Sequence, residues 1–178
     1  MQKIIYIHFK KFIVKHHGYD FWVDSSNDYA HMKLDELNAD VFLGVINKGV
    51  EKLDISFEEL LLKFGLYTST MLIARYGNNL KPGWKTLDTL ENLNIIIQQI
   101  LSKFNEAISP PRIIIQRKSG TQVELAYKSH EVFPHLGRGF IEGIATYFNE
   151  KEQTRLNMNM RMNGTTIFKV SQKTVSLF

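Results

Sequence analysis

A chain of 178 residues has the length of one domain, and 44% hydrophobic with 22% charged residues excludes wholesale disorder. Zero cysteines exclude disulfides, thiolate metal sites, iron–sulfur clusters and a cysteine nucleophile, and fit a reducing cytoplasmic setting. The net charge of +4 is far below a nucleic-acid-binding excess, and no apolar run approaches the ~20 residues of a membrane span, so the sequence predicts no nucleic-acid and no membrane partner.

In chain order, residues 1–17 carry Lys3, Lys10, Lys11 and Lys15 and no acid, and the opening lacks the uninterrupted apolar stretch of a signal peptide. Ile5, Phe9, Phe12 and Ile13 share one face at helical spacing, and Gly18 supplies a stop. Residues 20–59 hold ten acids against three bases. The Ser-Ser-Asn-Asp stretch within them reads as a solvated loop. A helix is expected from about Asn38, with Val41, Phe42, Val45, Ile46 and Val50 inward. Ser56 and Glu59 form a capping box before the next helix, Leu60 to Tyr76. The GNNLKPG stretch at 77–83 is the clearest break and reads as a hinge between a helical subdomain, about 1–77, and a second subdomain, about 84–178.

A long helix is predicted from Thr86 to about Ile108, with Leu90, Leu93, Ile97, Leu101 and Phe104 along one stripe and Ser109-Pro110-Pro111 ending it. The period then changes to two. Residues 112–117 and 121–129 read as strands, followed by a short helix from Phe133 to Phe148 that tolerates three glycines. Residues 154–162 alternate, with Leu156, Met158, Met160 and Met162 on one face, read as buried. At Asn163-Gly164, a three-residue loop with Gly164 left-handed pairs Met158 with Phe168 and Leu156 with Val170, keeping the apolar faces together. The class is α+β: an N-terminal helical part, then a four-stranded antiparallel sheet with a long helix.

Other chemistry is weakly supported. Ser129, His130 and Glu131 are neighbours on a strand, so His130 points away from the other two and no triad forms. Asp24, Asp28 and His31 have helical metal-ligand spacing, but in a segment read as loop. Nothing resembles a phosphate-binding glycine loop, and no catalytic site is predicted.

Several strings, in order, resemble the heme nitric oxide/oxygen binding (H-NOX) family over nearly the whole chain. The opening IIYIHFKKFIVKHHGYDFW is similar to the family's first helix and turn. The helix ending in SPPR is similar to the one carrying the proximal iron ligand, with Pro111 as the proline against the porphyrin. VELAYKSHE is similar to the strand with the Tyr-x-Ser-x-Arg motif, and GFIEGIATYF to the helix after it. The resemblance implies a pocket lined by Ile5, Phe9, Ile97, Gln98, Pro111, Tyr127, Ser129, Glu131, Leu136 and Phe140.

Two departures bear on the family cofactor, heme. The iron-ligand position falls on Ile97 or Gln98, and residues 86–108 contain no His, Cys, Met or Tyr, the usual protein ligands of heme iron. Tyr127 and Ser129 match the propionate motif, but Glu131 stands where it has arginine. Two carboxylates ~4 Å apart at an effective dielectric near 20 repel by about 4 kcal/mol. Leu136 takes the place of the distal tyrosine that holds oxygen in some members. The resemblance therefore implies a non-enzymatic sensor or signalling module without heme as cofactor. Its partner would be a separate protein such as a histidine kinase or a cyclic-nucleotide enzyme. Its pocket would be either filled by side chains or occupied by a small neutral or cationic apolar ligand. The alternative is a heme-binding nitric oxide sensor with an unusual iron ligand.

Overall fold

A computed structural model describes residues 2–29, 39–77, 80–102, 113–128 and 134–173. Helix α1, Gln2–His17, buries Phe9, Phe12 and Ile13 on its predicted face and ends where Gly18 takes φ 90°, a left-handed value that a side chain would disfavour. The stretch read as loop is instead helix α2, Tyr19–Ser26, with one further turn to Tyr29. Tertiary contacts override its composition. Trp22 is buried, Ser26 Oγ donates to the Trp22 carbonyl at 2.8 Å, and Asp24 and Asp28 pair with Lys52 and Lys48. Those lysines belong to helix α3, Ala39–Leu53, which turns Val41, Phe42, Val45 and Ile46 inward as its spacing predicts.

Helix α4, Phe57–Tyr76, begins three residues before the expected Leu60, because Ser56 itself is the N-cap and its Oγ accepts the Glu59 N–H at 3.1 Å. The Glu59 carboxylate turns to Lys63. The single long helix expected from Thr86 is two, α5 at Thr86–Glu91 and α6 at Leu93–Leu101. They divide at Asn92, whose side-chain amide donates to the Asp88 carbonyl at 2.9 Å, the kind of local bond that competes with helix continuation. The predicted end at Ile108 and SPPR lies outside the described residues.

Strands β1, Ile113–Ser119, and β2, Gln122–Lys128, precede helix α7, Pro134–Tyr147; β3, Thr154–Met160, and β4, Thr165–Gln172, follow it. The sheet is antiparallel in the order β1-β2-β4-β3. Met158 opposes Phe168 and Leu156 opposes Val170, the three-residue-loop register, and Gly164 has φ 74°. The methionine face is buried only in part. Leu156 and Met158 pack on the core, whereas Met160 and Met162 at the hairpin end are 57% and 109% exposed.

The core has two lobes. One is aromatic, joining α1 to α4 around Phe9, Phe42 and Phe64. The other joins the sheet to α5, α6 and α7 around Leu90, Val123, Ile144 and Val170. Helix α7 spans both, and its glycines make that contact rather than merely being tolerated. A Cβ on Gly139 would overlap the Leu62 carbonyl oxygen, and one on Gly143 would overlap Ser69 Oγ. On α4, a Cβ on Gly65 would overlap the Leu136 carbonyl oxygen and lie 2.7 Å from the Phe140 nitrogen. On the opposite side of α7, a Cβ on Gly137 would lie 2.9 Å from the Phe168 ring. Among the described residues no helix is long and apolar enough to cross a membrane.

Candidate functional site

The residues assigned to a pocket divide between the two lobes. Ile5 and Phe9 stand one turn apart on α1, and Phe9 is 1% exposed between the Phe42 and Phe64 rings, at centroid distances of 5.3 and 5.1 Å in edge-to-face geometry. Ile5 and Leu136 pack against this aromatic lobe. Phe140, one turn beyond Leu136 on α7, packs against the other lobe together with Ile97 of α6. Of the two positions for an iron ligand, Ile97 is half-buried toward the core and Gln98 is exposed. Tyr127 is half-buried on β2, two residues beyond the core residue Leu125 on the same strand face, opposite Ile113 and Thr166. Pro111, Ser129 and Glu131 lie outside the described residues.

A recess of about 30 Å³ opens where α4, α5, α6 and α7 meet, with Leu72, Ile73, Leu93, Ile97, Phe140 and Ile144 among its walls. Thr89 contributes the polar side chain of this lining. It is 3% exposed, and its Oγ1 has no hydrogen-bond partner. The sequence reading missed this residue. Its signal was a threonine four residues before Leu93 and eight before Ile97, an apolar-stripe position occupied by a hydroxyl.

A second orphan is His8 on α1, whose Nδ1 is buried and unpartnered. Desolvation chiefly, then the charges of Lys11 and Arg75, pushes its pKa below the usual histidine value. The imidazole is thereby kept in its neutral form at neutral pH. His17 is shifted the same way by burial, His16 and Lys63.

The donor set on the proximal side does not fit a heme iron. Neither α5, TLDTLE, nor α6, LNIIIQQIL, carries a histidine, cysteine, methionine or tyrosine. The inward-facing position offers only the Ile97 side chain, an alkyl group that donates no electron pair. Metal ligation by Asp24 and Asp28 is also disfavoured, since both carboxylates pair with lysines; His31 lies outside the described residues. Among the described residues no group of three or more metal-ligating side chains converges.

A family model described as Haem-NO-binding matches residues 3–156. The chain resembles the unliganded Fe(II) H-NOX protein from K. algicida at 16% identity and TM-score 0.76, over 100% of this chain and 99% of that one. It resembles the S. oneidensis H-NOX protein in its Fe(II)NO state at 15% identity and TM-score 0.76, over 97% and 99% of the two chains. It resembles a mutant of the T. tengcongensis H-NOX at 17% identity and TM-score 0.76, over 100% of both. No curated protein matches in sequence.

Proposed function

As the chain belongs to the Haem-NO-binding family, we propose that it is a non-enzymatic signalling module of that family that does not hold heme in the family's manner and regulates a separate partner protein. One observation carries this reading. The helix on the proximal side presents Ile97 to the core and contains no side chain that ligates iron. Glu131, in the position of the propionate arginine, adds a negative charge where two carboxylates would have to be held. The partner is a signalling enzyme such as a histidine kinase or a cyclic-nucleotide enzyme, and the chain works in the cytoplasm. The stretch 77–83 is the hinge through which the helical and sheet-bearing parts adjust when the partner or a small ligand binds.

The test is optical. Protein expressed with heme in excess is expected to be colourless, and Ile97→His combined with Glu131→Arg is expected to gain more heme affinity than the two single changes added, because both anchors grip one rigid molecule. A stoichiometric Soret band in the unmodified protein would overturn the reading. The partner clause is tested by identifying the signalling enzyme, if any, encoded beside this chain and assaying it with and without the chain; no such neighbour, or unchanged activity, removes that clause.

A second reading has its own observation. His8 offers a half-buried imidazole, its pKa lowered toward the neutral form that binds metals, with a buried and unpartnered Nδ1. If the protein does take up heme, His8→Ala is expected to abolish the Soret band. An unchanged band in that variant rejects His8 as the ligand.

A further inference from the structure

The two edges of the sheet differ in character. Along β1 the register with β2 shifts between Arg117 and Ser119, and Lys118 lies in that stretch, an irregularity and a charge of the kind that discourages further pairing. Along β3 the register with β4 runs unbroken from Thr154 to Met160, and the strand TRLNMNM carries no proline, lysine or acid. The ladder fixes which backbone groups face outward. The Lys173 N–H donates to the Gln153 carbonyl at 2.9 Å and the Arg161 N–H to the Thr165 carbonyl at 2.8 Å, so the odd-numbered residues of β3 turn their backbone toward β4. The N–H and C=O groups of Leu156, Met158 and Met160 therefore point to the open side, where no strand among the described residues pairs with them. The Thr154 carbonyl joins them, while its N–H is taken by the Glu150 carbonyl at 2.9 Å.

This edge is complementary to itself. Asn157 is the middle residue of the strand. An antiparallel copy with its two-fold axis at Asn157 sets Leu156 against Met158 and Thr154 against Met160 on the core-side face, and the outward backbone groups of these residues then meet in pairs. On the other face Arg155 meets Asn159 and Asn157 meets its own copy, so no two like charges are opposed. Moving the axis one residue to Met158 would set Arg155 against Arg161, and moving it to Leu156 would set Met160 against Glu152. We propose that the β3 edge is the interface of a symmetric dimer, in which a second copy of this chain pairs antiparallel with β3 about Asn157 and joins the two four-stranded sheets into one. The pairing sets Thr154 of the copy beside Met160, 57% exposed in the monomer. A single strand pair buries less than a standard interface, so the dimer is weak, with a Kd of about 10–100 μM. It requires neither heme nor its absence and stands apart from the heme-free reading.

The experiment uses the full chain, in which the lack of cysteine makes one introduced thiol unambiguous. Sedimentation velocity from about 5 to 500 μM is expected to show a monomer passing into a dimer. Asn157→Cys is expected to cross-link to its own copy on mild oxidation, because opposed residues of a non-hydrogen-bonded pair have Cα atoms about 4.5 Å apart, within reach of a disulfide. Asn159→Cys, on the same exposed face, is expected to stay uncross-linked, since its two copies are offset by about 14 Å along the strand. Asn157→Lys and Asn157→Asp are each expected to weaken the dimer about three- to tenfold, and an equimolar mixture of the two is expected to recover it. The side chain of Asn157 is exposed, so these changes leave the monomer's core intact. A chain that stays monomeric throughout the range would overturn the proposal. So would cross-linking of Asn159→Cys as fast as Asn157→Cys, a dimer indifferent to Asn157→Lys, which would belong to another surface, or no recovery in the mixture.

Discussion

Histidine 8 shows how one side chain sets a pH dependence. Its pKa is lowered in the fold by burial and by Lys11 and Arg75, so the unfolded chain binds a proton more tightly than the native one. The neutral native form is therefore fully favoured above the unfolded value of about 6.5, and stability falls as pH drops from there through the lowered native value. His17, also lowered, acts in the same direction, with a smaller effect at its exposed position. The urea midpoint is expected to decrease between pH 7.5 and 5.5, and His8→Gln is expected to flatten that decrease. An identical slope in the variant would assign the dependence elsewhere.

At the scale of elements, the α4–α7 pair is held by the absence of side chains. Gly139 faces the Leu62 carbonyl and Gly143 faces Ser69, so the helices meet backbone to backbone. Gly139→Ala puts a methyl into a rigid carbonyl and is expected to cost about 2–3 kcal/mol. Gly120→Ala, in the β1–β2 turn with nothing within 4 Å of its Cβ, is expected to stay within about 1 kcal/mol of the original. Urea unfolding of both variants checks the contrast, and equal midpoints would mean that α7 can shift away from α4 at little cost. A helical pattern with three glycines was legible in the sequence. Their purpose was not, because each glycine's close neighbour lies on another element: Leu62 for Gly139, Ser69 for Gly143 and Phe168 for Gly137.

At the scale of the molecule, Glu150 connects parts that are remote in sequence. Only 5% exposed, it accepts the Thr86 N–H that opens α5 at 3.0 Å and the Gln172 side-chain amide of β4 at 2.7 Å. Lys85 stands 3.6 Å from its other oxygen. Glu150→Ala leaves one buried and one half-buried donor without an acceptor and is expected to cost about 3 kcal/mol, roughly 6–12 °C in Tm. Glu150→Gln keeps an acceptor oxygen and is expected to lose less. An alanine variant that melts with the original protein would show that Glu150 does not join α5 to the sheet.

By itself the sequence determined the α+β class, the inward faces of α1 and α3, the Ser56 cap and the β3–β4 register. Each rests on local periodicity or turn chemistry: Phe9, Phe12 and Ile13 recur at helical spacing, and Gly164 admits the left-handed turn that sets Met158 against Phe168. The absence of His, Cys, Met and Tyr from residues 86–108 was equally legible, because it is a matter of residue types alone. Tertiary structure decided the rest. It made Tyr19–Ser26 a helix by burying Trp22 and pairing two aspartates with α3, and it accompanied the break of the expected long helix at Asn92. It also placed Ile97 and not Gln98 toward the core, and buried the Thr89 hydroxyl without a hydrogen-bond partner. These outcomes depend on which surfaces meet across the fold, and burial and pairing between distant segments outweigh local preferences worth only tenths of a kcal/mol to about 1 kcal/mol per residue.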